Sequence, residues 1–128
     1  MQKILLSIAA LSGAFAVILG AFGAHALKEK LSPEQLQTFE TGVRYQMYHT
    51  FALIAVALLL EKYNNSLLNY SGYLFITGII LFSGSLYLLA TKILLGIENW
   101  IWLGAVTPIG GLCFIFGWIL LLINFLKN

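Results

Sequence analysis

Few side chains in this chain of 128 residues have the means to do chemistry, and most of them fall in one stretch. Residues 40–49 read ETGVRYQMYH, which places Glu40, Arg44, Tyr45, Gln46 and His49 close together. On a helix, Tyr45 and His49 share a face, and Glu40, Arg44 and Tyr48 form a neighbouring strip. The only other histidine, His25, ends the stretch GAFGAH. Both histidines stand where apolar sequence meets polar sequence. Imidazole, guanidinium and amide groups in that position have three uses. They hydrogen-bond neighbouring helices and fix a hairpin. They hold a small ligand such as a lipid headgroup, a quinone or an anion, through His25, Arg44, Tyr45, Gln46 and His49. As a pair of histidines, His25 and His49 could ligate haem or a metal. The metal reading is short of ligands, since zinc takes four and the single Cys113 lies in a different apolar run. No base–nucleophile pair, P-loop or dinucleotide fingerprint is present. No catalytic residue is therefore assigned, and no cofactor is expected.

The solvent of this chain follows from its composition. Hydrophobic residues make up 60% and charged residues 9%, with a mean hydropathy of +0.91. Soluble domains carry roughly 25% charged residues, so the outer surface must face lipid. A net charge of +2 without clustered Lys and Arg excludes nucleic acid as a partner. One cysteine excludes an internal disulfide and reads as a buried structural thiol.

Four apolar segments follow, in a single membrane domain over residues 1–128. Residues 4–27 are free of charge and longer than the ~7–15-residue apolar core of a signal peptide, so they read as a retained membrane helix. Residues 70–91 and 99–126 give the third and fourth spans, and Pro108 is expected to kink the last one. The second span has only a short apolar part, Met47 to Leu60. Upstream, Ser32-Pro33-Glu34-Gln35 is a helix start with a capping box. One helix over 33–62 would be ~45 Å long, with an amphipathic N-terminal extension at the interface. To span, it must draw about Val43 to Gln46 into the membrane boundary. Glu40 and Arg44 are spaced as an i,i+4 ion pair.

Small residues mark the expected helix contacts. Ser12, Ala16, Gly20 and Ala24 recur at i+4 on the first helix, and Gly78 and Ser85 are heptad-spaced on the third, as are Thr77 and Gly84. Gly110 and Gly111 follow Pro108 on the fourth. The fold class is an all-α integral membrane four-helix bundle. Lys3, Lys62 and Lys127 fall on one side, and Lys28, Lys30, Arg44 and Lys92 on the other. Counted from Lys28 and Arg44 as boundary residues, His25 and His49 come to similar depth and form one candidate cluster.

Four motifs, GAFGAHALKEKLS, TGVRYQMYHTFAL, LFSGSLYLL and WLGAVTPIGGLCFIFGWILL, occur here in order. In them the chain resembles, over nearly its whole length, the family of small four-span membrane proteins typified by bacterial YgdD and YwdK. Gly20, Gly23, His25, Arg44, Tyr45, Gln46, His49, Pro108, Gly110 and Gly111 are the matching positions. The resemblance implies a multi-pass protein of the bacterial cytoplasmic membrane with no assigned activity, and it supplies no catalytic residues. The first expectation is a non-enzymatic accessory or structural subunit, partnered by the lipid bilayer and by another membrane protein or a second copy. The alternative is a ligand-binding or transport protein using His25, Arg44 and His49.

Overall fold

The polar residues before the second span act as a helix start. In the computed structural model, which describes residues 1–128, the Ser32 hydroxyl accepts the Gln35 amide at 3.2 Å. The Gln35 side chain in turn accepts the Ser32 amide at 2.9 Å. From this capping box α2 runs unbroken over Pro33–Tyr63. With α1 (Gln2–His25), α3 (Ser66–Ala90) and α4 (Leu103–Lys127), it makes four helices long and apolar enough to cross a membrane. The all-α four-span architecture is thus the one the composition requires. A single helical turn, Lys92–Leu95, precedes α4 and ends at Gly96, whose φ of +68° suits a residue without Cβ.

Two helix starts differ from expectation. The third helix begins at Ser66 rather than residue 70, because the adjacent asparagines divide the turn between them. Asn64 takes the left-handed conformation that ends α2, and the Asn65 side chain accepts the Leu68 amide at 3.1 Å to cap α3. The fourth begins at Leu103 rather than 99, since residues 99–102 remain in the connecting turn. It continues through Pro108. There the missing N–H forgoes the bond to the Gly104 carbonyl.

Antiparallel contact between α1 and α2 fixes their register. A Cβ on Gly23 would meet Phe39 at 3.0 Å, one on Gly20 would meet Val43 at 3.4 Å, and one on Gly13 would meet Thr50 at 3.5 Å. Leu5, Ala9, Ala16 and Gly23 form the buried face of α1. Ala24 is exposed, which corrects its place in the expected small-residue stripe. Positions four apart drift by about 40° per step on a 3.6-residue helix, so three steps carry Ala24 off the contact. The 9–16–23 spacing stays on it.

The α3–α4 contact is closer still. Gly78 faces the ring of Phe114, Gly110 faces the backbone of Phe82, and a Cβ on Gly117 would stand 2.7 Å from the ring of Phe75. Within α3, residues Ile79–Ser83 form a π-helical segment. Its wider turn brings the Phe82 backbone onto Gly110 and sends the Ser83 hydroxyl to the Gly42 carbonyl at 2.7 Å. Thr77 is exposed and bonds only the Tyr73 carbonyl of its own helix, so the expected Thr77–Gly84 contact face is not used. Nothing lies within 4 Å of a Cβ on Gly84, and one on Gly111 reaches only the Phe82 ring at 3.8 Å. Those two glycines are not contact points of the expected kind. Ser85 is buried and shares a 2.6 Å hydrogen bond with Thr107 of α4.

Candidate functional site

His49 lies midway along α2 and is buried, with 5% of its surface exposed. Its ring stacks on Phe114 at a centroid distance of 3.5 Å and an interplanar angle of 7°. Nδ1 stands 2.7 Å from the Tyr45 carbonyl oxygen, an acceptor, so the ring proton is on Nδ1. Nε2 accepts the indole N–H of Trp118 at 3.1 Å. The two contacts define one neutral tautomer and occupy both ring nitrogens. His49 thereby ties α2 to α4.

One turn away, Gln46 ties α2 to α1 and α3. Its Nε2 donates to the Ser12 carbonyl at 2.8 Å, and its Oε1 accepts the Tyr87 hydroxyl at 2.6 Å. Below it, Thr50 donates its only proton to the Gln46 carbonyl at 2.8 Å. In the 2.7 Å contact between Ser12 and Thr50 hydroxyls, Ser12 must then be the donor. Every donor proton of these hydroxyls has an acceptor. In a medium that offers no water, these internal partners are what make the polar groups tolerable inside the bundle.

The same residues floor a lateral groove. Leu5 fills the notch at Gly72, holding α1 and α3 together at one end. Beyond that point the two helices part and leave a cavity of about 390 Å³ between them. Ile8, Leu11, Phe15 and Leu19 line it from α1, Ile76, Ile80 and Gly84 from α3, and Ser12, Gln46 and Tyr87 supply its polar atoms. Its mouth faces the lipid side of the bundle, where Leu11, Phe15 and Ile80 are exposed.

The residues singled out in the sequence separate into different places. Gln46 and His49 are in the buried network. Tyr45 is partly exposed, with its ring against Phe82 at 4.8 Å and its carbonyl serving His49. Arg44 is exposed and donates to Thr41 at 3.3 Å, one turn nearer the helix start, in place of the expected pairing with Glu40. That is the direction in which a long cationic side chain reaches for the membrane surface. His25 is exposed at the end of α1. The α1–α2 register sets it level with Gln37 and Thr38, so about 17 Å of helix rise separate it from His49. The single His25/Arg44/His49 cluster is therefore corrected. Arg44 lies well along α2 and is no marker of its start, so depths counted from Arg44 placed His49 too near the boundary. Tyr87 and Trp118, which complete the network, were missed. A lone hydroxyl or indole inside an apolar run was their only signal, since nothing in the chain indicates which helix such a group will meet.

Fold and site together define an integral four-helix membrane protein with a buried polar network and a lipid-facing groove. Sequence comparison gives its family. Residues 19–111 match the family described as protein of unknown function (DUF423), and the chain belongs to it. It is 42% identical to the UPF0382 membrane protein YwdK of Bacillus subtilis, over 98% of both chains. A UPF0382 membrane protein of Haemophilus influenzae is 43% identical over all of this chain and 98% of its own. The inner membrane protein YgdD of Escherichia coli is 36% identical over 98% of this chain and 92% of its own. No solved structure matches.

Proposed function

We propose that this protein is a non-enzymatic component of the cytoplasmic membrane that holds one lipid-like amphiphile in the groove between α1 and α3. The observation that carries this reading is the groove itself. It is an apolar cavity of about 390 Å³ open to the bilayer, within the ~300–1,000 Å³ range of small-molecule sites. The hydroxyls of its floor spend their donor protons internally, so a hydrocarbon chain can cover Ser12 and Tyr87 without orphaning a hydroxyl donor. The ligand-binding alternative thus moves from the His25/Arg44/His49 region to this groove. The name of the E. coli relative, an inner membrane protein, supports the assignment to the cytoplasmic membrane.

A second reading, an accessory subunit seated against another membrane protein, draws support from α1. Val17, Ile18 and Phe22 continue the exposed flank of that helix beside the groove. A two-histidine haem or metal site gains nothing from the geometry, because both nitrogens of His49 are engaged and His25 is remote. A native mass spectrum of the full chain from mild detergent tests the first reading. The expected result is one retained lipid per chain. A bare chain would overturn that reading, and a stoichiometric protein partner without lipid would replace it with the second.

A further inference from the structure

We propose that the occupant of the groove is a phospholipid with an anionic headgroup, one acyl chain lying between α1 and α3 and its phosphate held by Lys30. This inference rests on the groove reading above and adds the class of lipid and its direction.

The cavity at Gln46 does not end at Tyr87. A second cavity of about 430 Å³ begins at the same tyrosine and runs to the α1–α2 turn, lined by Phe22, Leu27, Phe39, Leu88 and Lys30 among others. Leu19 of the first stretch and Phe22 of the second are a turn apart on α1, as Gly84 and Leu88 are on α3. The two stretches lie end to end along the same pair of helices and share Tyr87, and the proposed occupant runs through both. Apolar side chains line nearly all of it, and Lys30 is the one charged residue in the lining of either stretch.

The position of that charge gives the occupant its polarity. Lys30 sits in the turn just past α1, where the chain leaves the hydrocarbon layer, and its backbone amide is fixed on the Leu27 carbonyl at 3.0 Å. Lys28 and Lys92 lie on the two segments flanking the opening, and the acidic neighbour Glu29 is outside the lining. A single leaflet offers about 15 Å of hydrocarbon depth, or about ten residues of helix. Counted back along α1 from Leu27, ten residues reach the level of the Gln46–Tyr87 floor. A chain anchored at Lys30 therefore ends where the polar network closes the bottom of the groove. A cation at the membrane boundary above an apolar channel selects a phosphate-bearing, net-negative headgroup over a zwitterionic one.

The test is a competition. Full-length protein in vesicles of equimolar phosphatidylglycerol and phosphatidylcholine with matched acyl chains is extracted into mild detergent, and retained lipid is identified by native mass spectrometry. One lysine near a membrane surface is worth about fivefold in preference for an anionic lipid, and the wild type should retain phosphatidylglycerol by at least that factor. Lys30→Gln should still retain one lipid but with the preference reduced to near unity, and Lys30→Arg should restore it. Gly84→Leu, which fills the channel from a position where a Cβ meets no atom within 4 Å, should retain neither lipid. Unchanged preference in Lys30→Gln would overturn the headgroup assignment and leave the groove reading standing. Lipid retained by Gly84→Leu at the wild-type level would overturn both.

Discussion

The contact between α3 and α4 and the contact between α1 and α3 are built from the same residue types and come out opposite. Between α3 and α4, Gly110 admits the backbone of Phe82, Gly78 admits the ring of Phe114 and Gly117 that of Phe75. Between α1 and α3, one notch at Gly72 takes Leu5, and from there the helices diverge over Gly84. Small residues close an interface only where a neighbour is delivered onto them. Gly110 meets Phe82 of the π-helical segment Ile79–Ser83, whereas Gly84, directly after that segment, lines the opening.

The sharpest break in this comparison is Gly110→Val. Its side chain would occupy the space of the Phe82 backbone, which no rotamer change can vacate. Overpacking of this kind costs about 3 kcal/mol or more, and the expected outcome is loss of monodisperse protein on size exclusion in detergent. His49→Ala comes next. It empties the stack against Phe114 and leaves the Trp118 indole and Tyr45 carbonyl contacts unmade, at about 2–4 kcal/mol in detergent unfolding. His49→Phe keeps the stack and loses only the two bonds, each worth about 0.6 kcal/mol in a membrane protein. A large gap between these two variants would show that packing outweighs polarity at the centre. Tyr87→Phe removes one hydroxyl from the groove floor and should cost about 0.6 kcal/mol by the same scale. Gly84→Leu should be neutral or slightly stabilising, because it adds helix propensity of up to ~1 kcal/mol and its Cβ enters open space. His25→Ala should leave the unfolding midpoint unchanged, since the ring is exposed and about 17 Å of helix rise from His49.

How much of this was legible in the sequence depends on the range of the signal. Spans follow from apolar length, and the start of α2 follows from Ser32 and Gln35, whose bonds close within three residues. The Asn64–Asn65 turn was equally local, yet apolar length alone obscured it, because α3 begins four residues before residue 70, where the apolar span is expected to start. The site was less legible. His49 and Gln46 stood out as polar residues in a greasy chain, but their partners Trp118 and Tyr87 come from helices whose rotation the sequence does not state. The depth of His49 is hidden from the sequence for a related reason. A register is set by which residues interlock, here Gly23 with Phe39 and Gly20 with Val43, and not by counting inward from the nearest charge. The π-helical segment left no sequence signal at all.

The openness of the α1–α3 groove to lipid is the claim on which the rest depends, and a spin label at Gly84 reads it directly. The label would be attached to Gly84→Cys in a Cys113→Ser background and its collision rate with dissolved oxygen measured in bilayers. A second label at Ile115, which is exposed on the outer face of α4, gives the lipid-facing reference. The expected result is a collision rate at Gly84 close to that at Ile115. A rate as low as that of a label in the protein core, whatever the lipid, would contradict it.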